Sequence, residues 1–196
     1  MYNGYAVLNG RVGFDLAPAA FQTYFNPTLD IFYHLLNGAL PPRLAGFVMG
    51  ALQGLNFIVM AAIARRLLGD QRQRLALLLA GAGMLGSGFL SALGNTMGDN
   101  LTAPPLLGGL YLVLRRWEAL PRAGAGNVAA MLAAGLLMGA AAGLKLTNAV
   151  FAVALCLALL ALLLDWWRRV WLAFVFGVGV LGGIAATAGW WFLTMW

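Results

Sequence analysis

The chain has 196 residues, of which 62% are hydrophobic and only 9% are charged, and its mean hydropathy is +0.85. A soluble domain carries roughly 25% charged residues, so this composition leaves too few polar side chains to cover a surface in water. One cysteine and one histidine exclude a disulfide framework and make a zinc site built from these residues improbable. We therefore expect an all-α integral membrane protein.

Six apolar stretches alternate with short polar connections along the chain. A helix needs about 20 apolar residues to cross the hydrocarbon core of a bilayer, and these stretches approach that length. We predict six transmembrane helices, at residues 44–68, 75–93, 101–114, 128–144, 148–164 and 170–193. Three residues separate the fourth and fifth stretches, which favours a tight helical hairpin, although one long broken helix fits the same pattern.

The first 43 residues differ from the apolar remainder of the chain. Asn26 and Pro27 are typical of an N-cap and a first helical position. The apolar side chains that follow share one side of a helix: Ile31, Phe32, Leu35 and Leu36. We predict that residues 1–43 form an outer-face region with a short interfacial helix, and that residues 44–196 form a single membrane domain.

The basic residues predict the orientation of the bundle. If successive helices alternate in direction, nine of the twelve Lys and Arg side chains lie on one side, and Arg11, Arg43 and Lys145 lie on the other. Cytoplasmic loops carry the excess of positive charge. Residues 1–43 and the loop 95–100 are thus expected to face the periplasm or cell exterior. The net charge of +6 is explained by this topology, without a nucleic-acid partner.

The two ends of the chain predict a truncation. No signal peptide precedes the outward region, and the chain stops at Trp196 on a predicted membrane boundary. We expect a fragment of a longer protein that lacks at least one helix before Met1. Tryptophans favour membrane interfaces, and two clusters mark the predicted ends of the last helix: Trp166, Trp167 and Trp171, and Trp190, Trp191 and Trp196.

Glycines recur at close spacing in two of the predicted helices. Glycine every four residues lets helix backbones approach closely in lipid. We expect internal packing seams, in preference to a dimer interface, at two sets of glycines: Gly135, Gly139 and Gly143, and Gly81, Gly83, Gly86 and Gly88.

Four ionisable residues on the predicted outward side are the candidates for chemistry: Asp15, Asp30, Asp99 and Lys145. Ionisable groups at a membrane edge are functional candidates by default, and we predict that the outer loops present these carboxylates to one aqueous pocket. A structural explanation is available for each residue. Asp15 and Asp99 can cap backbone N–H groups, Asp30 can complement a helix dipole, and Lys145 can reach outer headgroups. His34 and Cys156 are interpreted as an interfacial and a packing residue.

The chain has no glycine-rich phosphate loop, zinc-binding HExxH helix or nucleophile elbow. Its short cytoplasmic loops leave no room for a nucleotide-binding domain. Any reaction is therefore expected at the outer membrane edge, on a lipid-borne substrate and without ATP.

Three runs of the sequence resemble patches of a known family, in the same order. They are the segment from Tyr2-Asn3-Gly4-Tyr5 through Asn26-Pro27 to Asp30, then Gly98-Asp99-Asn100-Leu101-Thr102, then Gly143-Leu144-Lys145-Leu146-Thr147. They resemble the bacterial GT-C class of polytopic membrane glycosyltransferases, in particular its α-mannosyltransferase-like branch.

The resemblance implies transfer of a sugar from a polyprenyl-phosphate carrier to an acceptor at the outer face of the bacterial inner membrane. It implies that Asp15 or Asp30 is a first-loop carboxylate that takes the acceptor proton, and that Asp99 is a second-loop carboxylate. Lys145 would contact the departing phosphate, a role that a divalent metal can also fill. In this family the first-loop acid usually follows a membrane helix that is missing here, so the catalytic acid can also precede Met1.

Two other classes of protein stay open. A non-enzymatic membrane subunit or scaffold requires no specific residues, so the sequence does not exclude it. A small-solute transporter is less favoured, because transporters place polar groups at the bilayer midplane and the six stretches carry almost no charge there. No cofactor is required by the sequence, and the oligomeric state is left open.

Overall fold

The computed structural model describes residues 2–12, 25–122 and 124–195, and over these ranges it consists of helices joined by turns and loops, without β-strands. The described ranges contain nine α-helices, which are α1 (Tyr2–Leu8), α2 (Thr28–Ala39), α3 (Pro42–Leu68), α4 (Gln73–Met84), α5 (Ser87–Ser91), α6 (Asp99–Arg116), α7 (Ala125–Leu144), α8 (Ala149–Leu160) and α9 (Trp166–Met195). The all-α prediction is confirmed over these ranges, and each of the six predicted stretches corresponds to helical structure. Helix α1 was not predicted.

The number of membrane-crossing helices is smaller than predicted. Three helices of the described chain are long and apolar enough to cross a membrane: α3, α7 and α9. Six spanning helices are therefore not supported. The predicted span 75–93 is divided into α4 and α5 by the extended backbone of Gly86. Helix α8 has 12 residues, which is about 18 Å at 1.5 Å per residue, well short of the hydrocarbon core.

Hydrogen bonds at both ends of the helices fix their relative directions. Helices α3 and α6 are parallel, because Gln53 lies near Asn95 and Arg66 lies near Leu114. Helix α7 is antiparallel to α6, since Asn127 near its start bonds to the carbonyl of Ala119, just after α6 ends. We call the end at which α6 starts and α7 stops the Lys145 end. The opposite end, where α3 and α6 stop and α7 and α9 start, is the arginine-rich end.

Helices α7 and α9 are parallel and pack backbone against backbone. A β-carbon added to Gly135 would lie 3.0 Å from the α-carbon of Gly179, and one added to Gly183 would lie 2.5 Å from the nitrogen of Ala140. Because α7 and α9 run the same way, α8 between them runs in the opposite direction, which confirms the predicted hairpin. The seam predicted at Gly135, Gly139 and Gly143 is also confirmed, and α9 is its partner.

The second predicted seam is not a line of close contact. A β-carbon added to Gly81 or Gly88 would meet open space. One added to Gly86 would contact only the backbone of Gly83, in the same segment. Gly83 alone of this set contacts another helix, through the side chain of Met60. Four-residue spacing made the α7 seam predictable, whereas the glycines of α4 and α5 lie on both sides of a helix break.

The tryptophans are divided between exposed and buried positions. Trp166, Trp167 and Trp171 are exposed at the arginine-rich end, as expected for interfacial residues. Trp191 is 1% exposed and belongs to the core, so its predicted role as an outer anchor is wrong. Its neighbour Trp190 donates a hydrogen bond from Nε1 to the hydroxyl of Thr28 at 3.2 Å. Trp196 lies outside the described residues.

Candidate functional site

A cavity of about 420 Å³ opens at the Lys145 end of the bundle. Its walls come from four parts of the chain that are far apart in sequence. They are the start of α2 with the residues before it, the loop before α6, the turn that joins α7 to α8, and the last turns of α9. The walls are mostly apolar, and the residues that line them are Phe25, Asn26, Leu29, Asp30, Thr96, Met97, Ala142, Gly143, Leu144, Lys145, Leu146, Thr147, Ile184, Ala188 and Phe192.

The Lys145 side chain joins two of the predicted site residues. Its Nζ lies 2.5 Å from Oδ1 of Asp99 and donates a second hydrogen bond to the carbonyl of Met97 at 2.8 Å. The Lys145 side chain is 23% exposed and that of Asp99 is 54% exposed. The pair therefore connects the end of α7 to the start of α6 at the water-accessible rim of the cavity.

Asp99 does not cap α6, in contrast to the structural explanation offered from sequence. The helix follows Gly98, whose φ of +84° favours glycine, and no side chain caps its first turn. The carboxylate of Asp99 is directed to Lys145 instead. Gly98 also packs closely against Leu29, so the loop before α6 and the start of α2 are in contact.

Asp30 lies in the first turn of α2 and lines the same cavity. Helix α1 supports its backbone, because a β-carbon added to Gly4 would lie 2.6 Å from the Asp30 carbonyl oxygen. Three of the four predicted site residues thus belong to one cavity or to the ion pair at its rim. Asp15 lies outside the described residues. His34 packs edge-on against Tyr5 at 5.9 Å between ring centroids, which agrees with its structural interpretation.

Asn26 is a cavity residue whose full role was not predicted. Its Oδ1 accepts hydrogen bonds from the backbone and hydroxyl groups of Thr28, at 3.1 and 2.6 Å. Its Nδ2 donates to the carbonyls of Gly143 and Thr187, at 2.8 and 2.9 Å. The predicted N-cap position is wrong by one residue, because α2 begins at Thr28 after Pro27 and has no side-chain cap at that position. The amide of Asn26 instead ties the start of α2 to the last turns of α7 and α9.

Buried amide groups support the cavity from the side of α3 and α6. Gln53 and Asn56 are both 1% exposed in the apolar helix α3. Nδ2 of Asn56 donates to the carbonyl of Asn100 at 2.7 Å. That carbonyl would normally accept from the backbone N–H four residues later, but Pro104 has none. Two isolated amides in a 27-residue apolar helix were the sequence signal of this arrangement.

A second polar contact joins α6 to the turn after α7. Asn148 donates to the hydroxyl of Thr102 at 2.8 Å and to the carbonyl of Ala141 at 3.1 Å. Thr102 is fully buried and donates in turn to the carbonyl of Gly98. These bonds hold the segment that carries Lys145 against the segment that carries Asp99.

The described residues contain no group of three or more His, Cys, Asp or Glu side chains that could hold a metal ion. Cys156 is a partly buried free thiol in α8 that packs at the edge of the core. Among the described residues that line the cavity, Lys145 supplies the cationic group, its ammonium.

No protein-family model, no curated protein and no solved structure matches this chain. The chemistry of the cavity therefore rests on its own residues. Apolar walls with one ammonium and two carboxylates at or near the rim suit an amphiphile, whose hydrocarbon part lies in the cavity and whose polar part meets the charges.

Proposed function

We propose that the chain is a GT-C-like membrane glycosyltransferase, or part of one, that uses a polyprenyl-phosphate-linked sugar. The observation that carries the proposal is the apolar cavity at the Lys145 end, which has Asp30 in its wall and Lys145 at its rim. An isoprenoid chain matches the apolar walls, and a phosphate matches the ammonium.

The proposed reaction assigns one step to each group. Asp30 takes the proton of the acceptor hydroxyl as its oxygen forms a bond to the anomeric carbon of the sugar. The bond between that carbon and the phosphate oxygen breaks, and the polyprenyl phosphate leaves with the electron pair. Lys145 stabilises the negative charge that develops on this phosphate.

Lys145 must exchange Asp99 for phosphate in this mechanism. Phosphate then replaces the carboxylate as the ionic partner of Lys145, so the ammonium stays paired, and the released carboxylate can be solvated by water. The Asp99 side chain is more than half exposed. Its proposed role is to hold the ammonium of Lys145 at the rim of the cavity until the substrate binds.

The distribution of charge supports an orientation for the site. Nine of the twelve basic residues belong to the arginine-rich end, and cytoplasmic loops carry such an excess. We therefore propose that the Lys145 end, with the region before α3, faces the periplasm or cell exterior of a bacterial inner membrane. Lipid-linked sugars displayed on that face would have direct access to the cavity.

The proposal is tested by release of polyprenyl phosphate in vesicles that contain the purified chain, radiolabelled polyprenyl-phosphate mannose as donor and octyl mannoside as the acceptor hydroxyl. Asp30→Asn is expected to lower the release rate at least about 100-fold, the lower limit for loss of a general base. Asp165→Asn is the matched control, because it makes the same change at the arginine-rich end. The proposal fails for this donor if the unaltered chain releases no polyprenyl phosphate, or if both variants react equally.

A non-enzymatic membrane subunit is the second candidate, and one observation favours it. Lys145 already has two partners, Asp99 and the Met97 carbonyl, so its charge is satisfied without a ligand. A purely structural pair would be restored by exchange of its members. In that case Lys145→Asp and Asp99→Lys would each lower thermal stability, and the double variant would recover both stability and any assembly function. An enzyme would recover stability but not transfer.

A further inference from the structure

A second cavity lies at the arginine-rich end of the bundle, whereas the proposed substrate site lies at the Lys145 end. It has a volume of about 370 Å³ and lies between the last turn of α3, the turn that follows it, and α6. The residues that line it are Ala62, Arg65, Arg66, Gly69, Asp70 and Tyr111. Nothing in the proposed transfer reaction uses this cavity.

This end of the molecule carries the whole formal net charge of the chain. Nine arginines and three carboxylates belong to it, which accounts for the net charge of +6. The remainder of the chain has three basic and three acidic residues. An anion that approaches the arginine-rich end is therefore attracted by several arginines beyond those that line the cavity.

The two arginines of the cavity differ in how firmly they are held. Arg66 is fixed, because its Nε donates to the carbonyl of Leu114 at 3.2 Å and its Nη2 donates to Glu118 at 2.9 Å. Arg65 has a weaker partner: its Nη2 lies 4.0 Å from Oδ1 of Asp70, whose side chain is 92% exposed. A pair of this kind stabilises a protein little, so the Arg65 guanidinium can turn to another anion at small cost.

The position of the cavity identifies the source of such an anion. Helix α3 is one of three helices in the described ranges that are long and apolar enough to cross a membrane. The cavity occupies its last turns, at the level expected for the headgroups of a bilayer. Leu67 lies next to the cavity arginines in sequence and is 66% exposed, which offers apolar surface to an acyl chain. Basic pockets between helices at this level bind acidic headgroups.

We infer that the cavity formed by Arg65, Arg66 and Tyr111 binds the phosphate of an anionic phospholipid. Arg65 would exchange Asp70 for two phosphate oxygens, since a guanidinium can contact them in a bidentate manner. Arg66 would supply fixed positive charge, and the Tyr111 phenol a hydrogen-bond donor. A free phosphate ion offers the same chemistry without the acyl chains, so the experiment must separate the two sources.

The test uses the full chain in vesicles of phosphatidylcholine that contain a minor fraction of phosphatidylglycerol. After gentle extraction, native mass spectrometry gives the fraction of protein that retains phosphatidylglycerol. Arg65→Gln is expected to lower retention roughly three- to tenfold, the range for a lost charged contact at a partly exposed site. Arg72→Gln is the matched control, because it removes the same charge at the same end without lining the cavity. It removes only long-range attraction and should lower retention much less than Arg65→Gln does.

A second variant is expected to increase the retention of phosphatidylglycerol. Asp70→Asn removes the carboxylate that competes for Arg65, so retention should rise, which loss of folding cannot mimic. The inference is overturned if Arg65→Gln and Arg72→Gln behave alike, or if Asp70→Asn fails to raise retention. A final measurement adds inorganic phosphate to protein in phosphatidylcholine alone and follows the phosphorus-31 NMR line width. If phosphate binds while phosphatidylglycerol is not retained, the lipid assignment is wrong.

Discussion

The Asn56 side chain donates the hydrogen bond that a backbone N–H at position 104 would otherwise donate. The energetic coupling between Asn56 and Pro104 can be measured. In a regular helix the carbonyl of Asn100 accepts a hydrogen bond from residue 104. Pro104 has no N–H, and Nδ2 of Asn56 donates to this carbonyl at 2.7 Å instead. Both Asn56 and Asn100 are buried, so water is excluded from replacing the bond. Asn56→Ala is therefore expected to leave a buried carbonyl unpaired.

The magnitude follows from the cost of an unsatisfied buried group. Leaving one unpaired costs about 1–3 kcal/mol, and coupling energies of hydrogen bonds within membranes average about 0.6 and reach about 1.7 kcal/mol. In a Pro104→Ala background the new N–H can satisfy Asn100, so Asn56→Ala should cost less. We expect a coupling energy of about 1 kcal/mol between the two substitutions.

The assay is a double-mutant cycle on protein in detergent micelles, with unfolding by SDS titration followed by far-UV circular dichroism. The loss of volume at position 56 is the same in both backgrounds and cancels in the cycle. Pro105→Ala is the matched control, because its missing N–H would serve Leu101, not Asn100. Asn56 is not the substitute for the missing N–H of Pro104 if the Pro104 cycle is additive within about 0.5 kcal/mol, or if the Pro105 cycle gives the same coupling.

Two further predictions concern the packing of α9 and the closure of the cavity. Gly183→Ala should destabilise the protein by about 1–3 kcal/mol, because the new β-carbon would lie 2.5 Å from the nitrogen of Ala140. Gly177→Ala in the same helix meets open space and should be neutral or slightly stabilising; equal midpoints in the same SDS titration would contradict this. Asn26→Ala should raise amide hydrogen exchange at the start of α2, since two long-range bonds are lost; an unchanged exchange rate there would be inconsistent with that role.

The helices were largely predictable from sequence, but their capacity to cross a membrane was not. The number of apolar residues in a stretch does not reveal whether its helix is continuous. The predicted span 75–93 is mostly apolar, but its helix is interrupted at Gly86. The burial of Trp191 could not be predicted either. Its neighbour Trp190 has the same preference for interfaces, and only the packing of α9 decides which ring is directed inward.

The candidate site was predictable in its members and not in its contacts. Alternation of helix direction brought Asp99 and Lys145 to the same side of the predicted bundle. Their ion pair spans 46 residues of sequence and depends on how α6 meets the end of α7, which no local pattern encodes. The same limit applies to Asn26, whose acceptors Gly143 and Thr187 lie on two different helices.

The parallel pairing of α7 and α9 imposes an order on biogenesis. A chain emerges from the ribosome with its N-terminus first, so α7 is made before the helix that covers its glycine face. The cavity needs Ile184, Ala188 and Phe192 of α9 for one of its walls, and a nascent chain that stops at α8 has no such wall. Asn26 is among the earliest of these residues to be synthesised. Its hydrogen bond to the carbonyl of Thr187 can form only after α9 has been synthesised. An early segment of the chain is therefore among the last to reach its final position.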